Sequence, residues 1–251
     1  MLRLVHAEFA KLRTTQVWFW LLMGTVAVSV LLVVAQIAPH DGVRTESDVP
    51  NLFASSSTAY IVVFVLGVLG VTTEFRYQTI TPTVLQTPSR WSVVAAKMIT
   101  YAIVGALYAV VAVGVQLAVA VPWLNSKDIG VDFGNGHVRH AVIAVFGVLA
   151  IFGIVGLGVG ALLRNQIVAV VVGIVFLLVI ENVLLAIPVV KKAYPYMPGG
   201  AADSMLYTTG DRSPVDGVHY LSTWAGVVVL LLWAFVPAIV GAAFSMNRDI
   251  T

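Results

Sequence analysis

Of the chain's 14 Lys and Arg and 12 Asp and Glu residues, only Glu181 falls inside a long apolar run. The others sit in the gaps between six such runs, Val17–Ala38, Leu52–Val71, Met98–Pro122, Ala141–Leu163, Ile167–Ile187 and Leu221–Phe244. Each run has 20 to 25 residues, and a helix needs about 20 to cross ~30 Å of hydrocarbon. A soluble helix shows a polar face to water, and these runs have none. The expected fold is an all-α membrane protein with six transmembrane helices.

The gaps leave little room for anything else. The longest holds 33 residues, too few for an independent soluble domain, so residues 1–251 read as one transmembrane domain. A formal charge of +2 without a Lys/Arg cluster gives no footprint for nucleic acid. With no cysteine, disulfides and thiolate chemistry are excluded. The first run is longer than a signal-peptide core, follows a 16-residue lead and lacks an A-x-A site, so it is expected to remain as a span.

An even number of spans places both termini on one side. That side comprises residues 1–16, 72–97, 164–166 and 245–251, with eight cations in 52 residues; the opposite side has six in 64. The bias favours cytoplasmic termini. Trp18, Trp20, Trp123 and Trp224 lie at run ends, where interfacial aromatic belts form.

Four segments could carry function. In residues 1–16, Leu2, Val5, Phe9 and Leu12 recur at helical spacing beside Arg3, Lys11 and Arg13. This is either a basic topology anchor or an amphipathic interfacial helix that touches a partner. The loop 72–97 is longer than a connector needs. It contains Thr81-Pro82 and Thr87-Pro88, each a helix-start signal, which points to a docking surface, with a solvated connector as the alternative. In the fourth run, Gly153, Gly156, Gly158 and Gly160 are expected to serve close helix packing, with Gly156 and Gly160 as a G-x-x-x-G pair. Residues 188–220 mix Pro and Gly with a broken apolar stretch, as in a re-entrant hairpin or a plain outer loop.

Single residues add less. Glu181 lies about six residues inside the fifth run. A charge in hydrocarbon is costly, so it faces protein or water, either as an anchor for residues 188–220 or in direct substrate or proton handling. Leu177, Leu178, Leu184 and Leu185 are expected on its face. Thr25, Ser29 and Gln36 mark a protein-facing side of the first span. His137 and His140 have H-x-x-H spacing, but no third His or Cys supports a metal.

Taken together, EFAKLRTT, EFRYQTITPTVLQTPSRWSVVAAK, GLGVGALLRNQ, and Glu181 followed by YPYMPGGAA resemble the permease subunit of type-2 ATP-binding-cassette exporters of the actinobacterial kind. The resemblance covers nearly the whole chain. It implies a coupling helix in 72–97 that docks an ATPase through Glu74, Phe75, Arg76, Tyr77, Thr79, Ile80, Pro82, Pro88 and Arg90. Gln78 stands where many relatives have glycine. The resemblance also implies a connecting helix at 1–16 and re-entrant outer helices at 188–220. The substrate path would lie between spans two and five, lined by residues such as Phe64, Ile174, Phe176, Leu178 and Glu181.

The same resemblance implies a multi-pass protein of the bacterial plasma membrane, with two copies of a cytoplasmic ATPase and a second permease, identical or related, as partners. The chain lacks G-x-x-x-x-G-K-[ST], so ATP and Mg belong on the ATPase; this chain would be no enzyme and hold no cofactor. The apolar spans favour an amphipathic or lipid-like cargo, moved outward. The rival reading, an ATP-independent secondary carrier or channel, wants several intramembrane ionisable groups. A membrane-embedded enzyme wants a catalytic pair at membrane depth. The runs offer one acid.

Overall fold

The computed structural model describes residues 1–39, 43, 45–77, 90–207 and 217–246. Helices form because each apolar run must satisfy its own backbone groups where water is absent. In chain order they are α1 (Leu2–Thr14), α2 (Val17–Ile37), α3 (Val49–Ala54), α4 (Tyr60–Arg76), α5 (Arg90–Asn125), α6 (Gly136–Leu163), α7 (Gln166–Val175), α8 (Glu181–Ala186), α9 (Pro198–Leu206) and α10 (Thr223–Met246). Among the described residues there is no strand.

Among the described residues, six helical segments are long and apolar enough to cross a membrane: Val17–Ile37, Glu46–Arg76, Trp91–Asn125, Gly136–Leu163, Gln166–Ala186 and Thr223–Gly241. The chain is a multi-pass membrane protein. The second segment joins α3 to α4 through a tighter turn at Ser55–Ala59. It starts where Thr45 and Asp48 cap each other, which satisfies donors that a helix start leaves open. The helical segments outrun several of the apolar runs. The helix carrying the second run continues to Arg76, and that carrying the third begins at Arg90. Glu74 and Lys97 therefore lie within helices rather than in a loop.

Helix α6 is the hub and packs against α4, α5 and α10. The most apolar stretch of this helix is 61% buried, against 17% for α2. Glycine makes the close approach possible. A Cβ on Gly156 would overlap the carbonyl oxygen of Phe64 on α4, and one on Gly153 would clash with that of Tyr101 on α5. Gly67 on α4 faces Gly153 in return. Small residues at such crossings let backbones touch, and dispersion replaces the hydrophobic drive that lipid removes. Tyr60 stacks on Phe152 with centroids 4.3 Å apart.

α6 ends at Arg164, whose φ of 54° is left-handed, and Asn165 then caps α7 by accepting from the amides of Ile167 and Val168. That two-residue reversal sets spans four and five side by side.

The fifth span has a wide π turn at Phe176–Ile180 immediately before Glu181. This turn changes the face expected from ideal helical spacing. It brings residues four apart nearly into line and swings those three apart away. Leu177 is buried with Glu181, whereas Leu178 is exposed.

Candidate functional site

The most unusual polar feature lies where α1, the end of α4 and the start of α5 meet. Glu8 of α1, Glu74 of α4 and Lys97 of α5 are each buried, and Lys11 of α1 closes the group from the surface. Lys97 Nζ donates to Glu8 Oε2 and to Glu74 Oε1, both at 2.7 Å. Lys11 Nζ donates to Glu8 Oε1 at 2.7 Å and to Glu74 Oε1 at 2.8 Å. Two carboxylates and two ammonium groups thus balance in one network. Removing one partner from such a buried group leaves an uncompensated charge, which is why the network holds three elements together.

The fourth group explains α1 itself. Leu2 is 87% exposed, while Glu8 faces inward and Phe9 and Leu12 pack against the core. The docked face of α1 is therefore polar at its centre and apolar at its sides. Burial lowers the basicity of Lys11, but its hydrogen bonds to Glu74 and Glu8 and their negative charges outweigh that, and its pKa stands above the usual lysine value.

Glu74 Oε2 is buried and has no hydrogen-bond partner among the described residues. Beside the cluster lies a cavity of about 130 Å³ whose lining includes Glu8, Lys11, Leu12, Leu69, Thr73 and Glu74.

The residues expected to dock an ATPase divide. Glu74 is turned into the chain's own network, while Arg76 and Tyr77 are exposed next to it. Arg76 reaches Gln166 Oε1 at 3.4 Å, and the Arg164 guanidinium lies 5.9 Å from the half-buried Phe75 ring. Thr79, Ile80, Pro82 and Pro88 lie outside the described residues, as does the side chain of Arg90.

The residues expected along a path between spans two and five do not share one surface. Phe64 is buried against Gly173, Phe176 leans on Trp233 at 5.7 Å, Ile174 is half-buried and Leu178 points outward. Glu181 is 2% exposed, and its Oε1 accepts from the amide of Gly199 at 3.1 Å. It thereby pins α9, eighteen residues on. α9 also packs against α10 and α6, and all its residues except Asp203 are buried. Tyr194 donates to Asp203 Oδ2 at 2.6 Å, His140 Nε2 meets the carbonyl of Met205 at 2.8 Å, and Trp233 donates to the carbonyl of Tyr196 at 2.9 Å.

A third polar web fastens the far end of α2. Ser55 Oγ accepts from Gln36 Nε2 at 2.7 Å and from Gln116 Nε2 at 3.0 Å, and Ser56 donates to Gln116 Oε1. Thr25 and Ser29 lie on the buried side of α2. No group of three His, Cys, Asp or Glu suited to a metal occurs among the described residues.

Sequence reasoning missed Glu8, Lys11 and Lys97 as partners of Glu74, and Gln116 as a buried polar residue. The available signals were the Glu8–Lys11 spacing of three and a lysine immediately before the third run. No protein-family model matches the chain, and no curated protein is similar enough to serve as a relative.

Proposed function

We propose that this chain is the transmembrane permease subunit of an ATP-driven type-2 exporter. A separate cytoplasmic ATPase powers it by engaging residues 72–97, with both termini on the cytoplasmic side of a bacterial plasma membrane. The cargo is amphipathic or lipid-like, and residues 188–220 form a re-entrant outer segment. The observation that carries the reading is the Glu8–Lys11–Glu74–Lys97 network. It joins α1 to the two helix ends that flank residues 78–89, so a force applied to that segment moves three elements as one. Docking falls to exposed Arg76, Tyr77 and Trp91, and Glu74 acts as an internal link.

Pairing of two permeases has its own support. Asn182 is exposed on the fifth span between exposed Val179 and Val183, and its amide bonds back to the carbonyl of Leu178 at 2.7 Å. An amide facing lipid is costly, whereas one facing another helix is useful.

Affinity purification of the chain from its native membranes tests the proposal. An ATP-hydrolysing subunit is expected to co-purify, and Arg76→Glu combined with Tyr77→Ala is expected to release it. Purification without any ATPase, or release that does not depend on these residues, overturns the reading.

A further inference from the structure

The cavity at the base of α1 has two chemically different regions. Along α4 its lining runs from Leu66 and Leu69 to Thr73 and Glu74, so the deeper wall is apolar and the wall near the helix end is polar. Val17, itself exposed, lines it from α2. Its volume of about 130 Å³ is room for a small polar group.

The two oxygens of Glu74 differ sharply. Oε1 accepts from both lysines, whereas Oε2 is buried and accepts nothing among the described residues. A buried anionic oxygen calls for a donor. Lys11, by contrast, has a side chain 45% exposed, and its ammonium spends two of its three N–H donors on Glu8 and Glu74. The cluster is already neutral, two acids against two bases, and a ligand with net charge would upset that balance.

From these observations we infer that the cavity binds the zwitterionic aminoethyl-phosphate headgroup of a membrane phospholipid, with its ammonium directed to Glu74 and its phosphate to Lys11. The ammonium supplies the N–H donor that Glu74 Oε2 lacks, on a turn of the carboxylate that brings this oxygen, closed to solvent as the cavity stands, to face the ligand. The phosphate meets the open side of Lys11, and the glycerol end leaves past Val17 toward the apolar surface of α2. A choline headgroup has the same charge but no N–H donor, so the site discriminates by hydrogen bonding rather than by charge. The inference does not rest on the exporter reading.

The test uses the purified full chain in nanodiscs containing equal amounts of phosphatidylethanolamine and phosphatidylcholine. After partial delipidation, native mass spectrometry is expected to show ethanolamine lipid retained at least tenfold over choline lipid, at one per chain. Leu69→Phe, which fills the apolar wall, and Glu74→Gln, which weakens the acceptor, are each expected to abolish the preference. Leu69→Phe leaves the ion network in place, so folding of that variant is checked by an unchanged helical circular-dichroism spectrum.

Soluble phosphoethanolamine added to choline-only discs separates the sources. If it raises the melting temperature, the headgroup alone suffices; if only the intact lipid does, the membrane-anchored form is the ligand. Equal retention of the two lipids, or a preference unchanged in both variants, overturns the inference.

Discussion

Lys97 Nζ lies 2.7 Å from Glu8 Oε2, a contact between residues 89 positions apart. The same ammonium reaches Glu74 at 2.7 Å. One lysine near the start of α5 therefore fixes both the N-terminal helix and the last turn of α4. Deleting an element from such an arrangement strands charge in a low-dielectric setting, so its effect reaches beyond the deleted side chain.

Lys97→Met is expected to destabilise the protein by about 3–5 kcal/mol, the usual cost of breaking a buried ion pair from one side. Lys97→Met combined with Glu8→Gln is expected to cost less than the two single changes together, because the second removes the charge that the first strands. Thermal melts in detergent check the cycle, and hydrogen exchange over residues 2–14 is expected to speed up in Lys97→Met. Additive losses would show that Glu8 and Lys97 act independently.

Glycines on the same bundle should differ in a way that follows from space alone. A Cβ on Gly156 would overlap the Phe64 carbonyl, whereas one on Gly114 meets nothing within 4 Å. Gly156→Ala is expected to cost about 1–3 kcal/mol by overpacking. Gly114→Ala is expected to be neutral or to stabilise by up to about 1 kcal/mol through helix propensity. Comparing the two melting temperatures checks the contrast.

The six spans were legible because hydrocarbon leaves a chain few options: about 20 apolar residues in a row have one economical structure. The pair Gly156 and Gly160 was legible for a related reason, since i, i+4 spacing puts both on one face, here against α4, whereas Gly153 and Gly158 turn to α5 and α10. Glu8 and Lys97 were not legible as partners. Charges next to apolar runs read as loop markers, and a pairing across 89 residues leaves no local pattern. Leu178 was misplaced because no sequence signal gives the π turn that precedes Glu181. Gln116 escaped notice as a single polar residue in a long run. Its partners Ser55 and Ser56 lie in another span, and only the packed bundle brings them to it.

Glu181 and Gly199 form a matched pair. The carboxylate accepts from the Gly199 amide at 3.1 Å and also occupies the space where a Cβ would stand. Gly199→Ala is therefore expected to push the carboxylate away and lose about 1–3 kcal/mol. Glu181→Ala is expected to cost a similar amount by leaving a buried amide without an acceptor. In the double variant the alanine methyl no longer meets the carboxylate, so the loss is expected to fall short of the sum. Hydrogen exchange at residues 198–206, measured for all three variants, reads the effect on α9 directly.

Asp203 should make the end of the bundle around α9 sensitive to pH. Partial burial raises its pKa above the ordinary aspartate value, and the hydrogen bond from Tyr194 opposes this without cancelling it. The native state thus holds the proton more tightly than the unfolded chain does. Its contribution to stability is complete below the unfolded pKa and is lost as pH rises through the folded one. The melting temperature is expected to fall as pH rises from the ordinary aspartate value of 3.8 to about 6, and Asp203→Asn, which cannot ionise, is expected to flatten that part of the profile. Tyr194→Phe removes the donor that favours the charged form, so it should move the transition to higher pH. A wild-type profile that matches Asp203→Asn across this range would show that Asp203 has the same pKa folded and unfolded.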